Sequence, residues 1–232
     1  HEGFVFSDRV WWFGEGSQRR DGGFVARGNG KLNPRGLLAG QQALKPARMT
    51  GPITYELETS VTDISRQSIS SRTSVLLHPG EVYVGAKPDK TFLKAGETLS
   101  AGLLAVTPKG EAVAGVKLSG TLYRRVWTSV RKKGMGGAHY FVSRPKETSV
   151  GGCAATSSDE AAPCKIKVPR AGYYVLRLEA ADKRGKHVKS SFGLYATGPD
   201  YVPWRRDNDD KVELVTDRKT YKVGQTARVL VK

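Results

Sequence analysis

The chain has 232 residues, and its formal net charge of +16 comes from 38 Lys and Arg residues against 22 Asp and Glu residues. No stretch approaches the roughly 18 consecutive apolar residues that a membrane-spanning helix needs, and the first residues lack the pattern of a signal peptide. The 27 Gly and 11 Pro residues divide short apolar runs, and no window of about 11 residues or more has helical periodicity, so an all-β fold is favoured.

The first predicted turn is Gly30–Gly36, and the first strand signature follows at Tyr55–Asp63, where an aromatic residue is followed by a predicted strand and then by an acid. The same signature recurs at Tyr174–Asp182, and in both copies the acid lies eight residues after the aromatic residue. A short turn follows each acid, and a second strand is predicted to begin around Ser70 and around Ser190. This pattern is typical of a hairpin that closes a β-sandwich module.

A second signature is predicted to open a module, and it also occurs twice. Lys90–Thr98 reads as a strand, an aromatic residue, a tight Gly turn and a strand, and Lys219–Thr226 matches it if one residue is inserted. The closing signatures lie 119 residues apart (174 − 55), and the opening signatures lie 128 apart (224 − 96). This period suits one immunoglobulin-sized sandwich of about 100 residues with its loops.

The order of the signatures predicts one complete module between two partial ones. Residues 1–79 are assigned to the C-terminal part of a β-domain, residues 80–199 to a complete β-sandwich, and residues 200–232 to the first strands of a following domain. Because the last residues read as the middle of a strand, we expect a fragment of a longer protein. The predicted inter-domain linker residues are Pro79, Gly80, Trp204, Arg205, Arg206 and Asp207.

The middle module contains a stretch in which cations and aromatic residues alternate, from Arg124 to Lys146. Such a stretch can stack on single-stranded nucleic acid or lie on a membrane surface. A long hairpin with a packed aromatic side and a solvated basic side explains the same pattern, and the strand spacing of Trp127 and Phe141 favours this interpretation. The candidate basic binding loop comprises Arg124, Arg125, Arg131, Lys132 and Lys133.

Cys153 and Cys164 are the only cysteines, and they bracket a polar segment rich in Ala and Ser. A loop-closing disulfide is favoured over two free thiols or one reactive thiol, and no second Cys pair or His pair stands nearby to complete a zinc site. The bond is predicted to staple the hairpin that leads into Cys164–Val168, with a stabilisation on the order of 3 kcal/mol. It would indicate an oxidising compartment.

We identify no candidate catalytic, cofactor-binding or metal-binding residues. Ser, His and Asp are present, but no nucleophile elbow of the Gly-x-Ser-x-Gly type positions them. The run Asp207–Asp210 lacks the longer pattern of a calcium-binding loop, so a polar linker is favoured there. The sequence therefore predicts a non-enzymatic protein without cofactors.

Several segments of the chain are similar to one known family. They are Val61–Gln67, His78–Gly80, Ala171–Tyr174, Tyr201–Asp210 and Asp217–Lys232. They resemble the bacterial alpha-2-macroglobulins, and the likeness covers nearly the whole chain from about Pro52 onward. The resemblance implies a long array of fibronectin-like macroglobulin modules with a bait region that proteases cleave, and usually a thioester domain. Neither cysteine is followed at the third and fourth place by Glu and Gln, as the thioester signature requires, so this segment is expected to be framework.

Two functions are compatible with these patterns. The resemblance implies the structural framework of a broad-spectrum protease trap, whose partners are proteases bound through the full-length protein and the neighbouring domains of the same chain. The alternative is a cell-envelope adhesion or binding array whose sandwiches present basic loops. We expect a periplasmic or cell-surface protein, with any membrane anchor outside this chain and without a specific nucleic-acid partner.

Overall fold

The regular structure of the chain is almost entirely β-strand. The computed structural model describes residues 1–7, 23–44, 51–202, 212–218 and 220–231. Within these ranges it contains twelve strands, one 3-10 turn at Met135–Gly137 and no α-helix. The strands are β1 (Ile53–Thr62), β2 (Ser68–Leu77), β3 (Tyr83–Pro88), β4 (Phe92–Lys94), β5 (Thr98–Val106), β6 (Lys117–Lys133), β7 (His139–Thr156), β8 (Ala162–Lys167), β9 (Gly172–Ala181), β10 (His187–Thr197), β11 (Leu214–Thr216) and β12 (Val229–Val231).

Strands β3 to β10 form a sandwich of two sheets, with strand orders β4-β10-β9-β6-β7 and β3-β5-β8. Successive side chains of a strand point to opposite faces, so alternate residues of β9 enter the space between the sheets. Tyr174, Leu176 and Leu178 are these residues, and they are fully buried in one core with Leu99 and Leu103 of β5. The all-β, β-sandwich fold that the sequence predicted is confirmed.

The hairpin β1–β2 repeats the hairpin β9–β10. A shift of 119 residues superposes the two registers, as the end pairs show: Ile53 with Leu77, and Gly172 with Ala196. The two aromatic–acid signatures of the sequence therefore mark the same structural element. Their surroundings differ, because β9 and β10 are largely buried whereas most of β1 and β2 is exposed within the described part of the chain.

Strands β11 and β12 repeat the paired ends of β3 and β5. The shift is 128 residues, as two register pairs show: Pro88 with Ala101, and Thr216 with Val229. The same shift relates the turn residues Gly96 and Gly224, which both have positive φ. The two segments between the strands are therefore equally long, and the one-residue insertion expected from the sequence is wrong.

The two opening turns are also closed by the same hydrogen bonds. The backbone N–H of Lys94 donates to Glu97 Oε2 at 3.1 Å, and the backbone N–H of Lys222 donates to Gln225 Oε1 at 3.0 Å. In each turn the side-chain acceptor lies three residues after the donor. The opening signature thus encodes a local turn that does not depend on the rest of the module.

Four turns in the described part of the chain share one hydrogen-bonding pattern. A side-chain oxygen of the first residue accepts hydrogen bonds from the backbone N–H groups two and four residues later, and these first residues are Asn33, Asp63, Thr107 and Asp182. The fourth residue has positive φ in every case, and these residues are Gly36, Arg66, Gly110 and Gly185. A type I turn followed by a left-handed residue is a common three-residue hairpin loop. Arg66 is therefore strained where the other three turns use Gly.

The first residues of the chain pack on the complete sandwich. Val5 is buried and exchanges backbone hydrogen bonds of 2.9 and 3.2 Å with Ala86 of β3, while Phe4 and Phe6 pack beside Tyr83. This segment covers the edge of β3. The division of the chain at residues 79/80 and 199/200 stays a prediction, and residues 1–7 contact the sandwich that was predicted to begin at residue 80.

Candidate functional site

The outer face of the five-stranded sheet carries a second, smaller core. Tyr173, Val175 and Tyr195 are buried there, on the side of β9 and β10 opposite to the main core. Val215 of β11 and Leu230 of β12 pack against these residues. The hairpin that repeats the start of a module is thus joined to the complete sandwich by apolar contact, and we name this contact the downstream interface.

Hydrogen bonds hold the same interface. The backbone N–H of Thr91 donates to the carbonyl of Asp217 at 3.2 Å, and the Thr91 hydroxyl donates to the carbonyl of Thr216. The Tyr195 hydroxyl donates to Glu213 Oε1 at 3.3 Å. Burial raises the pKa of Tyr195, and the negative charge of Glu213 raises it further. The phenol therefore stays protonated and remains a donor to Glu213.

A cluster of three charged residues borders the downstream interface. Glu147 of β7 binds Arg125 of β6 at 2.6 Å and Arg177 of β9 at 2.7 Å. The Arg125 guanidinium is buried, and its carbon lies 5.6 Å from the ring centre of Trp127 and 5.9 Å from that of Tyr173. A buried guanidinium needs a charged partner, so Glu147 keeps Arg125 against the rings of Trp127 and Tyr173, the second of which belongs to the second core.

The opposite end of the sandwich holds the predicted linker residues Pro79 and Gly80. The backbone N–H of Glu81 donates to Asp182 Oδ2 at 3.1 Å, and Arg184 contacts both the carbonyl of Pro79 at 3.4 Å and Glu81 at 3.2 Å. A Cβ on Gly80 would lie 2.6 Å from a side-chain carbon of β10. The backbone of Gly80 therefore packs closely against β10, while the hydrogen bonds and the ion pair join this segment to the turn between β9 and β10. We name this contact the upstream interface.

The acids that begin the two closing turns are held in the ionised form. Hydrogen bonds from the Ser65 hydroxyl and the Gln67 backbone lower the pKa of Asp63. Burial opposes ionisation of Asp182, but hydrogen bonds from several backbone N–H groups outweigh this effect and lower its pKa. Ionised carboxylates thus organise both turns, and the second one also organises the upstream interface.

Only part of the predicted linker set can be placed. Pro79 and Gly80 lie between β2 and β3 and are buried. Trp204, Arg205, Arg206 and Asp207 lie outside the described residues, as does the rest of the acidic run to residue 210. The linker role of all six residues stays a prediction.

Cys153 and Cys164 form a disulfide, with a Cα–Cα distance of 5.5 Å. Cys153 belongs to β7 at the edge of the five-stranded sheet, and Cys164 belongs to β8 at the edge of the three-stranded sheet. The bond therefore joins the two sheets of the sandwich. Its predicted role as a staple within one hairpin is wrong, because the strands on either side of the loop enter different sheets.

The five residues predicted as one basic loop do not lie together. Arg124 and Arg125 belong to the part of β6 that pairs with both β7 and β9. Arg124 donates to the carbonyl of the residue before β9 at 3.1 Å, and Arg125 is buried in the charged cluster. Arg131, Lys132 and Lys133 form the exposed end of β6. The prediction that the five residues form a single basic loop is therefore wrong, and only Arg131, Lys132 and Lys133 share a solvated surface.

Sequence reasoning did not identify the charged cluster. The register places Arg125 directly opposite Glu147, although 22 residues separate them in sequence. The available signal is that Glu147 is the only acid in β7, within an otherwise basic hairpin. A single acid in such a strand indicates a specific cationic partner across the sheet.

Among the residues that the structure describes, no three His, Cys, Asp or Glu side chains come together in a group that suits a metal ion. Within the same ranges, no helix has the length and apolar character needed to cross a bilayer.

Comparison with known proteins links the chain to bacterial alpha-2-macroglobulins, although no family model matches it. The alpha-2-macroglobulin homolog of Nostoc sp. is 23% identical over 181 residues, which are 78% of this chain and 9% of that protein. The native conformation of E. coli alpha-2-macroglobulin, solved by cryo-electron microscopy, matches with a TM-score of 0.50 and 15% identity over 77% of this chain and 12% of that chain. Salmonella alpha-2-macroglobulin reacted with methylamine matches with a TM-score of 0.47 and 16% identity, over the same two shares.

The resemblance to bacterial alpha-2-macroglobulins that the sequence motifs indicated is confirmed. The chain spans 9% of the length of the curated relative and 12% of the solved E. coli chain. The relatives do not favour the alternative interpretation as an adhesion array.

Proposed function

We propose that the chain is part of the structural framework of a bacterial alpha-2-macroglobulin-like protease inhibitor. The observation that carries this proposal is the downstream interface, where Val215 and Leu230 pack against Tyr173, Val175 and Tyr195. Likeness to alpha-2-macroglobulins in sequence and fold supports the same conclusion. A chain built in this way holds successive modules in a defined relation, which a trap that rearranges around a protease requires.

The two interfaces explain how a rearrangement would be transmitted. Modules joined by flexible linkers move independently, whereas modules joined by buried apolar contacts move as one body or shift between discrete packings. The complete sandwich has such an apolar contact at its downstream end, and at its other end the turn at Asp182 binds the segment Pro79–Glu81 through hydrogen bonds and an ion pair. Cleavage of a bait segment elsewhere in a longer protein would therefore displace this sandwich as a rigid unit.

The proposed framework has no chemistry of its own. Its partners are the neighbouring domains, and proteases reach it through the full-length inhibitor. The disulfide between Cys153 and Cys164 supports an oxidising compartment, which we propose to be the periplasm or the cell surface.

The test uses a matched pair of substitutions in β11, made in a longer protein that contains this segment. Val215→Asp places a charge in the downstream interface, whereas Leu214→Asp places the same charge on the exposed side of the same strand. Each protein is incubated with trypsin, and residual hydrolysis of casein and of a small chromogenic peptide is measured. A trap suppresses casein hydrolysis and spares the peptide.

We expect Val215→Asp to weaken the protection of casein, and Leu214→Asp to preserve it. The expectation rests on the cost of burying an unpaired carboxylate, which the exposed position avoids. If the unsubstituted protein gives casein no protection, the proposal of an inhibitor is wrong. If both variants protect equally well, the downstream interface is not part of the mechanism.

A further inference from the structure

The hairpin β6–β7 extends beyond the sandwich. Strand β6 pairs with β9 only as far as Arg125, whereas its pairing with β7 continues to Lys133 opposite His139. Residues 126–146 therefore form a two-stranded arm, which ends in the 3-10 turn at Met135–Gly137. Eight strand residues at about 3.4 Å each give the arm a length of about 27 Å.

The arm is cationic along its whole length. Residues 126–146 contain no Asp or Glu, and they carry five permanent cations, namely Arg131, Lys132, Lys133, Arg144 and Lys146. None of the five takes part in an ion pair with a described residue. Other exposed cations of the chain do have acidic partners, as Arg72 has in Glu58 at 3.1 Å. The arm thus presents uncompensated positive charge.

The arm also exposes apolar side chains. Met135 at its tip is 100% exposed, Val130 is 53% exposed and Tyr140 is 43% exposed. The register places Val130 opposite Val142 and Lys132 opposite Tyr140, so these four residues share one face. On this face an apolar strip continues towards the tip, and cations lie beside it.

We propose that the arm is a binding surface for an anionic lipid bilayer. Its cations would meet the lipid headgroups, while the side chains of Met135, Val130 and Tyr140 would enter the interface below them. This combination of basic and apolar groups on one exposed element is the pattern that interfacial binding requires. Binding of a polyanion in water, such as single-stranded nucleic acid, would require only the cations and would leave Met135 and Val130 without a role. The proposal does not depend on the proposed framework function.

The test measures sedimentation of the whole chain with unilamellar vesicles. One set contains equal parts of phosphatidylglycerol and phosphatidylcholine, and the other contains phosphatidylcholine alone. We expect binding to the anionic vesicles only, and we expect binding to weaken as NaCl is raised, because salt screens the headgroup charge. A melting curve of each variant shows whether it is folded.

Three variants locate the binding surface. The triple variant Arg131→Gln, Lys132→Gln, Lys133→Gln should lower the partition coefficient on the order of 100-fold, since each basic residue near an anionic surface contributes roughly fivefold. The control replaces three exposed cations outside the arm by Gln, namely Lys109, Lys165 and Lys167, and should change binding by less than about threefold. Met135→Gln leaves the charge unchanged and should weaken binding about fivefold, because the tip loses apolar area.

Four results would overturn the proposal. They are equal binding to both vesicle sets, absence of binding to the anionic set, equal losses in the triple variant and its control, and an arm that prefers a 20-residue oligothymidine to the anionic vesicles. If the triple variant unfolds, the binding of Met135→Gln alone tests the proposal, because substitution of a fully exposed tip residue leaves the fold intact. Unchanged binding of Met135→Gln would then overturn the proposal.

Discussion

Substitution of equivalent leucines in the two copies of the closing hairpin tests the repeat directly. Leu176 of β9 is fully buried, and Leu57, its counterpart after a shift of 119 residues, is 59% exposed. Leu176→Ala removes the side chain from a packed core, which costs about 2 to 5 kcal/mol. Leu57→Ala is a surface change and should cost no more than about 0.5 kcal/mol. For a sandwich of roughly this size, about 3 kcal/mol lowers the melting temperature by about 10 °C.

The assay is thermal unfolding followed by circular dichroism, supported by urea titration of the free energy of unfolding. We expect a large loss for Leu176→Ala, nearly none for Leu57→Ala, and additive effects within about 0.5 kcal/mol in the double variant, because the two sites lie in different hairpins. Equal losses in the two single variants would show that β1–β2 is packed as tightly as β9–β10, and the reasoning from exposure would fail.

The remaining predictions concern single groups. Tyr174→Phe should cost about 1 to 2 kcal/mol, measured by urea titration, because the buried Tyr174 hydroxyl donates to the carbonyl of Arg170 at 2.8 Å. Reduction of the disulfide should lower the free energy of unfolding by about 3 kcal/mol, and scanning calorimetry with and without dithiothreitol checks this. Arg66→Gly should stabilise the chain by about 0.5 to 1 kcal/mol in urea titration, because Arg66 alone among the four turns has a side chain at positive φ. The lowered pKa of Asp182 contributes stability that is present above the ordinary carboxyl pKa of about 4 and is lost as pH falls through the folded-state pKa. Asp182→Asn should remove this part of the acid dependence. In urea titrations, the free energies of unfolding of the two proteins should therefore differ less at pH 2 than at pH 7.

Features that depend on neighbouring residues could be predicted from the sequence. The aromatic–acid signatures located two hairpins, because an acid that accepts two backbone hydrogen bonds specifies its own turn. The signature at Tyr174–Asp182 predicted a strand, and that strand, β9, lies in the middle of the five-stranded sheet. Sequence patterns were therefore sufficient to predict those turns and strands whose contacts join residues close in sequence.

Features that depend on the choice of partner strands could not be predicted. The pairing of Val5 with Ala86, and the ion pair of Arg125 with Glu147, join residues whose proximity is set by sheet topology. The disulfide was expected from two cysteines, but the sequence does not tell which sheet each strand enters. The insertion predicted between the opening signatures is wrong for a related reason. The sequence comparison aligns the Lys-Thr pair of one signature with that of the other, whereas the strand register aligns Asp89 with Asp217.

The placement of the two interfaces on one hairpin has a mechanical consequence. The turn at Asp182 binds the segment that enters from β2, and Tyr195, near the far end of β10, contacts the downstream hairpin. The eight residues of β10 from Val188 to Tyr195 span about 27 Å of continuously bonded strand. Because one continuous hairpin carries both contacts, a tilt of about 10° imposed at one end of β10 displaces its other end by about 5 Å.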